Sequence, residues 1–109
     1  MEGLKIRIDA REGRWCLVLW DSDEATYALF DELGLQGGGY TWEAVALGLL
    51  ELRAPQLSSL LEVNAEGDEM YAYAATRPPL EAFEALLRAG AADHSLLRAA
   101  MERAGDRLE

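Results

Sequence analysis

The chain has 109 residues, half of them hydrophobic and 28% charged, with twenty acids against ten lysines and arginines for a net charge of −10. That length fits one domain, residues 1–109, with a core that needs no disulfide or metal, and the composition is globular, not disordered. The excess of acid argues against nucleic acid and anionic membrane surfaces as partners, since both are bound by cations, and no apolar run approaches the ~20 residues of a membrane span.

In chain order, Leu4, Ile6, Ile8 and Ala10 alternate with Lys5, Arg7 and Asp9, the period-two pattern of a half-buried strand. A turn at Gly13 leads to Trp15-Cys-Leu-Val-Leu-Trp20, apolar throughout, which reads as a strand buried on both faces. Together they form a β-hairpin. Asp21 or Ser22 then caps a helix, with Glu24 three residues after Asp21 as in a capping box. Gly34 ends that helix in a left-handed conformation. A loop through Gly37, Gly38 and Gly39 follows, and Thr41 reads as the N-cap of a second helix. Trp42, Val45, Ala46, Leu49 and Leu50 form its apolar face, and Pro55 stops it.

Leu60–Ala65 and Met70–Ala75 read as two strands around Glu66-Gly67-Asp68-Glu69, a second hairpin. Pro78 and Pro79 start a third helix, with Gly90 at its end, and Asp93 caps a fourth. Segregated pairs of strands and helices predict an α+β fold: one four-stranded antiparallel sheet made of two hairpins, covered by about four helices. The strand order is open at this stage. Trp15, Leu17, Leu19, Trp42 and Val45, with Leu49, Phe83, Leu86, Leu97 and Met101, are the expected core.

The residues that carry chemistry are few. Cys16 lies within an apolar strand and His94 in the first turn of a helix, so neither a nucleophile–base pair nor a zinc site is in view. Gly34 to Thr41 has the glycine spacing of a P-loop, but Tyr40 stands where the phosphate-binding lysine belongs. Glu62 to Gly67 resembles the start of a calcium loop, but its twelfth position is Tyr73 instead of glutamate. The expectation is no catalytic residue, no metal and no cofactor. Met1–Arg7 lacks the regions of a signal peptide, and a single cysteine fits a reducing compartment, so a cytoplasmic protein is expected.

Charge is unevenly distributed. Trp15 to Glu69 holds eleven acids and one cation, Arg53, and so carries the whole net charge; elsewhere acids and cations cancel. These acids are either a solvated surface or a binding face. The triple glycine beside Tyr40 and Trp42 is likewise either a helix-entry turn pinned by aromatics or a loop that displays Tyr40. In the first case Gly39 meets a backbone need and Trp42 is an anchor.

Phe30-Asp-Glu-Leu-Gly34, followed by Gly37-Gly38-Gly39-Tyr40-Thr41-Trp42-Glu43, resembles the immunity protein 51 family of bacterial polymorphic toxin systems. In that family an aromatic–acidic segment precedes a Gly-Asn-Gly-Tyr-x-Trp motif that opens a helix, and an acidic turn later leads into a Met-aromatic-x-Tyr strand. Here the latter is Glu66-Gly67-Asp68-Glu69-Met70-Tyr71-Ala72-Tyr73, and Gly38 stands in place of the asparagine. The resemblance spans Trp15 to Ala104. It implies an intracellular antitoxin, not an enzyme, that binds a cognate protein toxin, with a basic nuclease domain as one candidate. The partner face is then expected at Asp31 and Glu32 on a helix end and at Glu66, Asp68 and Glu69 on the hairpin tip, with Tyr40 as central anchor. A non-catalytic adaptor or homodimerising domain is the alternative. A small enzyme would need a pocket of carboxylates, Tyr40 and arginine that the sequence does not display.

Overall fold

The computed structural model describes residues 3–105; Met1, Glu2 and residues 106–109, the ends of the expected domain, lie outside the described residues. The first hairpin joins β1 (Lys5–Arg11) to β2 (Arg14–Asp21) in antiparallel register. Its turn, Glu12-Gly13, takes positive φ at both residues (50° and 86°), as a type I′ turn requires. The second hairpin joins β3 (Glu62–Glu66) to β4 (Glu69–Ala74) through Gly67 at φ 62°. The sheet order is β1-β2-β4-β3, so each hairpin contributes one central strand and one edge.

Among the described residues there are four α-helices: α1 (Glu24–Glu32), α2 (Gly39–Arg53), α3 (Pro78–Ala92) and α4 (His94–Ala104). A 3-10 helix over Pro55–Leu60, which the sequence reading lacked, separates α2 from β3 and shortens that strand's expected start. The cap of α1 is Asp23, not Asp21 or Ser22: its carboxylate accepts the Thr26 N–H at 3.1 Å. Asp21 is still part of β2, opposite Lys5, so the helix starts later. At the other end Gly34 takes φ 78°, with Leu35 N–H donating to the Phe30 carbonyl and Gly34 N–H to that of Asp31, a Schellman motif. Asp93 caps α4 as expected, accepting from the Ser95 and Leu96 amides. Gly90, expected at a helix end, is buried inside α3, where a Cβ would press on Leu49 at 3.2 Å.

The core lies between one face of the sheet (Leu17, Leu19, Met70 and Ala72) and the helices, which supply Phe30, Trp42, Val45, Leu49, Phe83 and Leu97. Of the ten expected core residues, Trp15 and Leu86 are half-buried and the rest are buried. The helix α2 lies between the sheet and α4. At the α2–α4 crossing a Cβ on Gly48 would overlap the Ala100 carbonyl oxygen, so the helices meet backbone to backbone.

The strand β2 is not buried by protein layers on both faces. Cys16 and Val18 point away from the helices, outside the core cluster, and are buried nonetheless. Long side chains on that open face cover them: Arg14 lies 4.2 Å over the Tyr73 ring and reaches Glu62 at 3.2 Å, and Tyr71 and Tyr73 stack at 6.4 Å. Trp20, last on the same face, has only Arg7 beside its ring, 5.5 Å from the centroid, and is 40% exposed.

Candidate functional site

The start of α2 and the β3–β4 turn are built around one another. The Gly39 N–H donates to the Gly67 carbonyl at 3.2 Å. A Cβ on Gly39 would overlap the Glu69 carbonyl oxygen and lie 2.9 Å from that of Gly67. Close backbone approach, not φ, therefore makes glycine necessary there. Gly38 is the N-cap, with φ −89° and ψ −157°, and a Cβ there would lie 3.3 Å from Asp68 Oδ1. Gly37 takes φ 85° and leaves room for the Tyr27 ring.

Thr41, expected as the N-cap, is the third residue of α2 instead. Gly38 has no side chain with which to cap, and Thr41 Oγ1 reaches back to accept the Gly37 N–H at 3.1 Å. Trp42 is buried and meets Phe30 edge to face, with centroids 5.4 Å apart. Its indole N–H finds no acceptor among the described residues, so packing alone holds it.

This scaffold shapes a cleft of about 450 Å³. The end of β2 contributes Trp20 and Asp21, α1 contributes Tyr27, the glycine segment runs from Gln36 to Thr41, and the β3–β4 turn adds Gly67 and Asp68. Tyr40 is 66% exposed and Tyr27 40%. Asp21 accepts from the Tyr27 hydroxyl at 2.8 Å and from the Ser22 N–H at 2.9 Å, and these bonds hold its carboxyl below the usual range. Tyr27 is raised above the ordinary phenol value, first by desolvation, then by its bond to Asp21 and the negative charges of Asp21 and Asp68. Among the described residues, none that lines the cleft is cationic. Among the described residues no three His, Cys, Asp or Glu side chains gather as metal ligands.

The residues expected to form a partner face fall in three places. Tyr40 and Asp68, with Gly37, Gly38 and Gly39, line the cleft. Glu66 and Glu69 oppose each other across β3 and β4, on the open face of the sheet. The Tyr71 hydroxyl donates to Glu69, and that bond, with the acidic surroundings, pushes Tyr71 up to about 12. Glu69 and Tyr71 share a shallow groove with Arg7, Arg11, Val18 and Trp20, so Trp20 borders both the groove and the cleft. Asp31 and Glu32 are exposed at the end of α1 and do not line the cleft; Glu32 lies 3.8 Å from Arg98 of α4.

Trp20, Asp21, Tyr27 and Gln36 were absent from the expected site. Parity along β2 is the signal for Trp20: Leu17 and Leu19 face the core, so Trp20 faces away. Nothing local marks Tyr27, which stands between Thr26 and Ala28 in a helix of mixed polar and apolar residues.

The immunity protein 51 family model matches residues 6–106. No curated protein and no solved structure matches the chain. No helix among the described residues is long and apolar enough to cross a membrane. The family match spans all four strands apart from Lys5, the glycine segment that locks α2 to the β3–β4 turn, and all four helices. The chain therefore belongs to the immunity protein 51 family, whose members are non-catalytic inhibitors of toxins.

Proposed function

We propose that this protein is a cytoplasmic antitoxin that binds its cognate toxin directly, seating a basic toxin surface on the cleft and its acidic surround. A nuclease domain, with a substrate site built for phosphates, is the toxin class that such a surface fits best. One observation carries the reading: Trp20, Tyr27 and Tyr40 are exposed together, beside Asp21 and Asp68, around a cleft whose lining holds no cation among the described residues. Exposed aromatics in a recess are the residue types that dominate binding energy at interfaces. The acids from Trp15 to Glu69 add a field that speeds encounter with a basic partner.

Co-expression with the toxin encoded by the adjacent gene tests the function, and rescue of growth is the expected result. Binding of the purified pair tests the site. Tyr40→Ala removes a side chain with two thirds of its surface in solvent, so the fold is retained. It weakens toxin binding by about 2 kcal/mol, the size of an interface hot spot. Asp68→Lys lowers the association rate and flattens its dependence on salt. Reversal of Asp31 and Glu32 has the smaller effect. If neither Tyr40→Ala nor Asp68→Lys alters binding while the fold is intact, the toxin binds elsewhere.

A further inference from the structure

Resting on that site reading, we propose that the cleft between the α2 N-terminus and the β3–β4 turn is a receptor for one arginine side chain of the toxin. Three observations converge. The lining pairs aromatic rings with carboxylates: Trp20, Tyr27 and Tyr40 with Asp21 and Asp68. Ring faces attract cations through their quadrupole, and carboxylates at the edge complete the recognition.

Second, this molecule already places guanidinium groups over rings at its surface, one of them a ring of the cleft itself. Arg7 lies 5.5 Å from the Trp20 centroid, Arg14 4.2 Å from that of Tyr73, and Arg77 5.3 Å from that of Trp15. Among the described residues no arginine lies over Tyr27 or Tyr40. Of the cleft's three rings, Trp20 thus already has a guanidinium beside it, whereas Tyr27 and Tyr40, next to Asp21 and Asp68, have none from the described residues.

Third, an anion is disfavoured despite the nearby helix start. The Gly39 N–H is taken by the Gly67 carbonyl, and the Asp68 carboxylate stands beside the Gly38 cap. Arginine is favoured over lysine because a planar, weakly hydrated guanidinium stacks on a ring and bonds a carboxylate edge at once, whereas an ammonium is compact and strongly hydrated. The volume of about 450 Å³ is within the range of small-ligand pockets and admits a guanidinium with its stem.

The test uses the full-length protein, labelled with ¹⁵N and titrated with acetyl-Gly-Arg-Gly-amide. The uncharged isostere with citrulline and the lysine peptide are the comparisons. The expected result is a saturable shift of the Trp20 indole N–H and of the Gly37 to Gly39 amides with the arginine peptide. Lysine should be weaker, and citrulline should give no saturable shift. Asp68→Asn and Tyr40→Ala should each reduce arginine affinity about two- to fivefold, the size of one exposed cation–π or ionic contact. Equal response to citrulline and arginine, or no shift at the cleft, overturns the proposal. Toxin binding that is lost in Tyr40→Ala but is indifferent to competing arginine peptide overturns this inference alone. Arginine-peptide binding in the cleft, with toxin binding untouched by Tyr40→Ala, overturns the site reading and with it the toxin as source of the arginine.

Discussion

Gly39 and Gly38 are adjacent, yet they tolerate a methyl group very differently. At Gly39 the methyl meets the backbone oxygens of Glu69 and Gly67, which cannot yield without opening the β3–β4 turn. At Gly38 it meets a carboxylate oxygen of Asp68, an exposed side chain that can swing aside. Gly39→Ala should therefore cost about 1–3 kcal/mol or more by denaturant unfolding, in the range of overpacking, while Gly38→Ala should cost less than about 1 kcal/mol. Equal losses would mean that the α2 start is not held against the turn. The triple glycine was legible as a backbone requirement. Which glycine answers which demand was not, because Glu69 and Gly67 are distant in sequence. Trp20 was misread for a simpler reason: an unbroken apolar run conceals the alternation that sends Leu19 inward and Trp20 outward.

Between elements, the α2–α4 crossing sets two effects in opposition. Alanine in place of a mid-helix glycine gains about 1 kcal/mol of helix propensity. At Gly48 the added methyl would overlap the Ala100 carbonyl oxygen, and overpacking of that kind costs about 1–3 kcal/mol. Packing should win, so Gly48→Ala should lower stability in thermal or denaturant unfolding. A gain in stability would show that the two helices slide apart freely. Both hairpins and all four α-helices were legible, because period-two and period-3.6 patterns are local. Caps were less so. Asp21, Ser22 and Asp23 are all capping types, and the choice fell to Asp23 because the β1–β2 pairing carries β2 through Asp21. Thr41 was displaced because α2 begins at Gly39, where the helix meets the backbone of the β3–β4 turn, and this leaves Gly38 at the cap. The 3-10 helix at Pro55–Leu60 is too short to leave a period.

For the whole molecule, twenty acids against ten basic residues make self-repulsion the dominant long-range electrostatic effect. Ion pairs such as Arg7–Asp9 and Arg103–Glu51 are largely exposed and add little. Raising salt from a few millimolar to about 0.15 M shortens the screening length to about 8 Å. The melting temperature should therefore rise, because screened repulsion outweighs the weakened pairs; a fall would show that the exposed pairs govern stability. The α+β class followed from element order, whereas the pairing of β2 with β4 joins segments separated by two helices and left no local trace. The site inherits that blindness, since its walls come from both hairpins. The same interlock also bears on how such proteins diverge. Positions 37, 39, 41 and 42 answer to the scaffold, while Gln36, Tyr40 and, across the turn, Asp68 present side chains to solvent. Within a few residues, then, the demands of folding and of partner choice fall on separate positions. A lineage confronted with a new toxin can rewrite 36, 40 and 68 while the glycines beside them keep the cleft in shape.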